Sequence, residues 1–321
     1  MKAIVYEVYG SFDSLELKEI IKPEVGDDDV LVRVHAAGLH VGDCFSVKGK
    51  PFVVRIGTGL LKPKYGVPGF DLTGRVESVG RNVKRFRLGD EVFGASTATC
   101  AEYARAGQNE LALKPSNLTF EQAAAIPTSA LAALHALRDV GKVQPGQKVL
   151  INGASGGVGT FAVQIAKSFN AEVTGVCSTS NADMVRSIGA DHVIDYTRED
   201  FTQDGQRYDL ILDNIENRTL SECRRALTPS GVLILNSGTG AEGVRMFTRL
   251  LKPIVLSPFV RHTLRRYLSK ANHKDLVVLK ELVESGRLKP VIDRTYPFAD
   301  TTAALSYIDT GRARGKVVVT M

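Results

Sequence analysis

The chain has 321 residues, 44% hydrophobic and 24% charged, and its 41 basic against 35 acidic side chains leave a formal charge of +6. A chain of this length suggests two domains, each with enough apolar material for its own core, so neither a metal nor a disulfide staple is needed for stability. The positive charge is not gathered into a long Lys/Arg run and comes with no zinc-finger or RNA-binding pattern, which argues against a nucleic-acid partner and for an anionic small molecule.

In chain order, the first segment, MKAIVYEVYG, alternates like a strand and lacks the apolar core of a signal peptide. Residues 1–110 read as β-rich: short alternating runs at Ala3–Val8, Val30–His35 and Gly74–Val79 are broken by Gly, Pro and Asp turns, and Leu88-Gly89-Asp90 feeds another strand. The stretch Lys48–Pro68 reads as a long loop of the kind that often serves function. Thr119 and Gln122 fit a capping box at N-cap and N3, so a helix through Ala123–Ala125 is predicted, broken at Pro127 and followed by a second from Ser129 to Arg138. From Lys148 the texture changes to strands (Lys148–Asn152, Glu172–Cys177, His192–Asp195, Asp209–Asp213, Gly231–Asn236) alternating with helices (Gly157–Phe169, Asn181–Ile188, Leu220–Leu227). That rhythm implies a parallel sheet covered by helices. The last strand, Gly315–Val319, has lost it and is expected to return to the first domain. No run of about 18 apolar residues predicts a transmembrane helix. Cys44, Cys100, Cys177 and Cys223 form no CxxC pair, which suits a reducing compartment, and a cytoplasmic location is expected.

The strand Val149–Asn152 runs into Gly153-Ala154-Ser155-Gly156-Gly157-Val158-Gly159 and then into a helix with Phe161, Val163 and Ile165 at apolar positions. Strand, glycine turn and helix stand in the order a dinucleotide site requires: small residues admit a pyrophosphate and the first helical turn offers free N–H groups. Gly159 is expected to bring helix and sheet close together. An NAD-selective site usually carries an acid about 20 residues on, at the tip of the second strand. Here that tip reads Cys177-Ser178-Thr179-Ser180-Asn181, without a carboxylate, and the hydroxyls of Ser178 and Thr179 can donate to a 2′-phosphate; NADPH is therefore the expected cofactor. Arg186 lies farther along the next helix. The alternative for this stretch is simple helix capping by Ser180 or Asn181.

Taken with Ala36-Ala37-Gly38, Pro68-Gly69-Phe70-Asp71-Leu72-Thr73-Gly74, Gly89-Asp90-Glu91-Val92, Ala125-Ile126-Pro127-Thr128 and Gly189-Ala190-Asp191, the chain resembles the medium-chain dehydrogenase/reductase superfamily, in its zinc-independent quinone oxidoreductase (zeta-crystallin-like) branch, over essentially its whole length. The resemblance implies an α/β protein: a GroES-like β-barrel domain from residues 1–120 and 285–321, and a Rossmann doubly wound parallel-sheet domain from 121–284, with the active cleft between them. It also implies cofactor contacts at Thr128 near the nicotinamide, at Ser155, Gly156, Gly157 and Val158 on the pyrophosphate, at Ser178 and Tyr196 around the adenosine phosphate, and at Asn236 on the nicotinamide side. Lys316 matches a basic position near the cofactor, or is an exposed edge-strand lysine. Relatives of this kind are commonly homodimers.

Zinc-dependent relatives place ligands where this chain has His40, Phe70 and Thr128, so one candidate ligand of the three required is left and no zinc is expected. Without a Lewis acid the substrates that stay feasible are ready hydride acceptors, quinones and α,β-unsaturated carbonyl compounds. A low-turnover NADPH-binding sensor and an alcohol dehydrogenase-like enzyme are the alternatives. His40 stands where the branch usually has Asn; it either donates a proton or hydrogen bond to a substrate carbonyl or is a hydrogen-bonded histidine near the cofactor ribose. Cys44 and Lys48 line the substrate mouth or are ordinary loop residues. Asp43 and Asp71 are read as carboxylates tying backbone together, and His135 as structural. The stretch 250–270, with Arg261, His262, Arg265, Arg266 and Lys270 among apolar residues, fits a lid, a subunit contact or weak contact with an anionic membrane surface.

Overall fold

A computed structural model describes residues 1–64, 66–236 and 261–321. The described chain divides into two compact units, 1–131 with 270–321, and 132–269.

The first unit opens with an antiparallel pair, β1 (Lys2–Val5) and β2 (Glu16–Glu19). Its main sheet is built on β3 (Asp29–Leu39), β4 (Asp71–Val79), β5 (Glu91–Ala95), β6 (Tyr103–Gly107) and β7 (Leu111–Leu113), completed from the far end of the chain by β14 (Ile292–Pro297) and β15 (Lys316–Thr320). The strand order is β14-β15-β3-β4-β5-β7, with β6 paired to β3. Alternation in β3 explains its place: Val30, Val32 and Val34 face a core with Val76, Phe86, Val92 and Leu111, burying apolar surface at roughly 25 cal/mol per Å². At its other end β3 lies between β4 and β15, with Gly38 opposite both Asp71 and Val318 and Leu39 opposite Val317. The last strand thus returns to the first unit, as its lost helical rhythm suggests.

The second unit holds a parallel sheet of β8 (Lys148–Asn152), β9 (Glu172–Cys177), β10 (His192–Asp195), β11 (Tyr208–Asp213), β12 (Leu227–Leu235) and β13 (Thr263–Arg266), ordered β10-β9-β8-β11-β12-β13. Renumbered from β8, this is the 3-2-1-4-5-6 order of the Rossmann fold, whose ligands bind where the order reverses, at the C-terminal ends of the first and fourth strands. Val149, Leu150 and Ile151 are all buried, the mark of a strand covered on both faces.

Three local differences from the sequence reading have clear causes. Pro127 does not only end one helix; it opens the next, Pro127–Leu134, because a first-turn residue needs no N–H donor, and that helix passes into a π-turn at His135–Val140. The capping box at Thr119 and Gln122 forms, with Gln122 N donating to Thr119 Oγ1 at 3.3 Å and Thr119 N to Gln122 Oε1 at 3.1 Å, but the helix it starts, Phe120–Ala124, packs on β3 and β4, its Phe120 ring stacked 4.3 Å from His35. The helix His273–Glu284 likewise lies in the first unit: its leucine stripe meets β7, His273 Nδ1 lies 2.7 Å from Leu111 O, and Glu284 accepts Ser116 N at 2.9 Å. With these contacts both helices belong to the compact unit of residues 1–131 and 270–321. Hydrogen bonds from Lys280 and Ser116 hold the Glu284 carboxyl down to about 2.

Of the basic stretch 250–270, residues 250–260 lie outside the described residues. The remainder is not a free amphipathic segment: β13 pairs with β12, Leu264 is buried, Arg266 pairs with Glu216, and Tyr267 donates to Ala132 O at 2.7 Å. Among the described residues no helix is long and apolar enough to cross a membrane.

Candidate functional site

In the second unit, β8 ends at Asn152 and the chain turns through Gly153, at φ +77°, into helix Gly157–Ser168. A Cβ at Gly159 would lie 2.0 Å from Gly153 O and 2.8 Å from Ala154 Cα, so only glycine lets the helix close on the turn. A Cβ at Gly156 would meet nothing nearer than Gly153 O at 3.5 Å, so the turn opens outward there. Gly156 caps the helix with no side-chain hydrogen bond, leaving first-turn N–H groups and the positive end of the dipole for an anion. The residues around this turn therefore fit a dinucleotide.

The neighbouring strand tips are wired to the turn. Asn181 Nδ2 donates to Ser155 Oγ at 3.1 Å and to Ser178 Oγ at 3.2 Å. Asp195, at the end of β10, is the register partner of Cys177, so Tyr196 follows beside Ser178, 54% exposed and with its N–H on Cys177 O at 3.1 Å. Ser178 and Tyr196 thus stand at neighbouring strand tips, and the Thr179 hydroxyl between them in sequence donates to Asp195 Oδ2. Asp195 also accepts Thr197 Oγ1 at 2.7 Å, and these hydroxyls hold its carboxyl below the usual range. The tip of β9 carries no acid, yet the adjacent strand supplies one; the one-dimensional spacing rule looks along β9 only and misses it. Arg186 pairs with Asp183 at 3.0 Å on its own helix. On the other side of the reversal point, Asn236 Nδ2 donates to Asn214 Oδ1 at 2.8 Å and Asn214 Nδ2 to Asn152 O at 3.1 Å, joining the ends of β12, β11 and β8. His135 Nδ1 lies 2.8 Å from Ser269 Oγ, in keeping with a structural role.

In the first unit, β3 brings both chain ends to one cluster. Asp71 Oδ1 accepts both Thr128 N at 2.9 Å and the Thr128 hydroxyl; its Oδ2 lies 3.2 Å from Lys316 Nζ, which is also 3.2 Å from Ser129 Oγ. Lys316 is not an exposed edge lysine: its side chain is 1% exposed and that of Asp71 0%. His40 caps helix Val41–Lys48, with Nδ1 accepting Gly42 N at 2.9 Å, while His40 N donates to Asp43 Oδ2 at 2.8 Å. Asp43 is fully buried, and burial pushes its carboxyl above the ordinary value against the pull of His40. The sequence reading of Asp43 and Asp71 as backbone ties agrees with these bonds.

Cys44 and Lys48, expected at the substrate mouth or as ordinary loop residues, both sit on helix Val41–Lys48. Cys44 is wholly buried with Ala37, Leu39 and Val47, its thiol donates to Leu305 O at 3.5 Å, and burial pushes that thiol up; it is a core residue because it sits on the inner face of helix Val41–Lys48. Lys48, on the last turn, pairs with Asp309. The following loop is partly helical, with turns at Phe52–Val54 and Arg55–Thr58.

The zinc positions can be judged by their donors. Phe70 stacks on His40 at 5.5 Å, and the Thr128 hydroxyl is given to Asp71. Phe70 has no ligand atom and Thr128 no thiolate, so of the three positions only His40 offers a zinc donor, and this donor set does not fit a three-ligand catalytic zinc.

Comparison with known proteins places this geometry. Residues 26–136 match the alcohol dehydrogenase GroES-like domain family, and residues 188–319 match a family described as zinc-binding dehydrogenase, a span that contains none of His40, Phe70 and Thr128. The chain is 33% identical to the 2-methylene-furan-3-one reductase of Solanum lycopersicum, covering 99% of this chain and 79% of that protein. It is also 33% identical to the NADPH-dependent alkenal/one oxidoreductase, chloroplastic, of Arabidopsis thaliana, over 99% and 79%. Among solved structures, the quinone oxidoreductase from Coxiella burnetii superposes with a TM-score of 0.88 at 28% identity, over 100% of this chain and 99% of that one. With a GroES-like domain, a Rossmann sheet and this cradle in one sequence-related whole, the chain belongs to the medium-chain dehydrogenase/reductase superfamily, in its quinone oxidoreductase branch.

Proposed function

We propose that the chain is an NADPH-dependent oxidoreductase that passes hydride, without a catalytic metal, to a quinone or an α,β-unsaturated carbonyl compound. The observation that carries this reading is the open glycine turn at the end of β8, leading into a helix with no side-chain cap. The printed activities of the relatives support the acceptor class. In this reading Ser155, Gly156, Gly157 and Val158 hold the pyrophosphate, Ser178 and Tyr196 the adenosine phosphate, and Thr128 and Asn236 the nicotinamide. Thr179 acts by orienting Asp195, and Lys316 acts on Thr128 through Asp71. Bound NADPH supplies the hydride; the chain supplies orientation and hydrogen bonds. The metal-free character rests on the donors at His40, Phe70 and Thr128. We also propose a homodimer, supported by β13, which among the described residues pairs only with β12; four free buried thiols agree with the cytoplasm.

An NADPH-oxidation screen over 1,2-naphthoquinone, enones and aldehydes, with NADH alongside, tests the reading. Turnover is expected with quinones or enones and NADPH. Binding of NADPH with no turnover would favour the sensor alternative, and oxidation of benzyl alcohol the alcohol dehydrogenase alternative. Asp195→Asn should raise the preference for NADPH over NADH, because it removes a negative charge beside the tip that takes the 2′-phosphate; an unchanged ratio would detach Asp195 from cofactor choice.

A further inference from the structure

Strand register in the second unit brings two serine hydroxyls to one asparagine. β8 and β9 run parallel with Asn152 opposite Val176, and the backbone N–H groups of Gly153 and Ala154 both donate to Val176 O, at 3.2 and 3.0 Å. Ser155, in the glycine turn, and Ser178, just past β9, are thereby brought close, and Asn181 joins them. Its Nδ2 donates to Ser155 Oγ at 3.1 Å and to Ser178 Oγ at 3.2 Å. Its backbone N–H closes a turn on Ser178 O at 2.9 Å, which fixes where the side chain starts.

The direction of these bonds has a consequence. A primary amide nitrogen offers two N–H donors and no acceptor, whereas a serine hydroxyl has one proton and two lone pairs. Asn181 therefore fills a lone pair on each serine and leaves each proton to be given elsewhere. Among the described residues no acceptor takes the Ser155 proton, and Ser178 has only Ser180 Oγ, at 3.3 Å, long for a hydroxyl bond. The Thr179 hydroxyl, in contrast, donates to Asp195 Oδ2. With the amide turned the other way, its NH2 group would take the buried place where Oδ1 has no partner among the described residues. Buried N–H donors without a partner are rarer than buried carbonyls without one, so the network assigns Nδ2 to the serines.

We propose that Asn181 is a positioning residue for the cofactor: it makes the Ser155 and Ser178 hydroxyls committed donors, matched to groups that can only accept, the phosphates of NADPH. This rests on the cofactor reading above, in which Ser155 meets the pyrophosphate and Ser178 the adenosine phosphate. A hydroxyl that turned its lone pairs to a phosphate would repel it; one that already accepts from Asn181 presents its proton, and a hydrogen bond to a charged acceptor is the stronger kind. A ribose 2′-hydroxyl both donates and accepts, so it does not require that polarity. Asn181 thus favours NADPH over NADH through Ser178.

Fluorescence titration at about pH 8, where a phosphate monoester is a dianion, reads the affinities for NADPH and NADH in wild type, Asn181→Leu, Ser178→Ala and the double variant. Asn181→Leu keeps the bulk and drops the donors. Its Kd for NADPH should rise roughly 10-fold, and that for NADH by about 3-fold or less. Asn181→Asp keeps the shape, takes both hydroxyl protons and adds a charge, so its loss for NADPH should reach roughly 100-fold. It carries the same comparison if thermal unfolding shows that Asn181→Leu is not folded. In the Ser178→Ala background, the further loss of NADPH affinity on Asn181→Leu should shrink to the loss seen with NADH, because the part routed through Ser178 is already gone. A merely structural asparagine would weaken both dinucleotides alike and cost the same in either background. An unmoved NADPH-to-NADH ratio, or additive losses in the double variant, overturns the proposal alone. If the wild type binds neither dinucleotide, the cofactor reading fails and takes this proposal with it.

Discussion

Replacing Lys316 with methionine should lower the stability of the first unit by about 3–5 kcal/mol, as expected when one member of a buried ion pair is removed. The cause is not the lost attraction alone. Lys316 Nζ lies 3.2 Å from Asp71 Oδ2, and both side chains are sealed from water at 1% and 0% exposure. Without the ammonium, Asp71 keeps only the Thr128 N–H and hydroxyl and holds an uncompensated buried charge. Adding Asp71→Asn removes that charge while keeping an oxygen for Thr128, so the double variant should recover at least about 1 kcal/mol relative to Lys316→Met. Urea unfolding of the full chain, followed by tyrosine absorbance and by far-ultraviolet circular dichroism, measures both. A loss below about 1 kcal/mol would mean that the pair is worth no more than an exposed one.

The second large effect is expected at the glycine turn. Gly159→Val should weaken NADPH binding by roughly 100-fold or more, the scale of loss that misplacement by about 1 Å produces in a positioned site. The added Cβ meets backbone on both counts, Gly153 O at 2.0 Å and Ala154 Cα at 2.8 Å, so no side-chain rotation relieves the clash and the helix must move off the turn. Overpacking of this kind also costs about 1–3 kcal/mol in stability. Gly156→Ala separates the two consequences. Its Cβ meets only Gly153 O, at 3.5 Å, so stability should stay near wild type while the methyl group intrudes on the space left for the pyrophosphate. Fluorescence titration with NADPH reads affinity, and thermal unfolding reads stability. Wild-type affinity in Gly159→Val would remove the turn from the cofactor site.

Both predictions turn on residues visible in the sequence, but to different degrees. The turn was legible because every part of it is local: an apolar strand, a run of small residues and an amphipathic helix follow one another within about 20 residues, and local order is what periodicity reports. The strands Lys148–Asn152, Glu172–Cys177 and His192–Asp195 were legible for the same reason. The helix Val41–Lys48 was not, because its cap is a histidine whose capping role depends on Gly42 leaving room for the ring.

What the amino-acid sequence determined by itself is therefore the fold class, the family and the dinucleotide cradle, each written in neighbouring residues. What only the tertiary structure decided is long-range pairing. Lys316 meets Asp71 across 245 residues because β15 and β4 flank β3. Asp195 reaches Thr179 because β10 lies beside β9, so a carboxylate stands near a tip that carries none of its own. Cys44 packs into a core, since the face of a short helix is chosen by what packs on it. Spacing along a chain cannot encode these contacts, because burial and sheet register are set by which distant strands exclude water together.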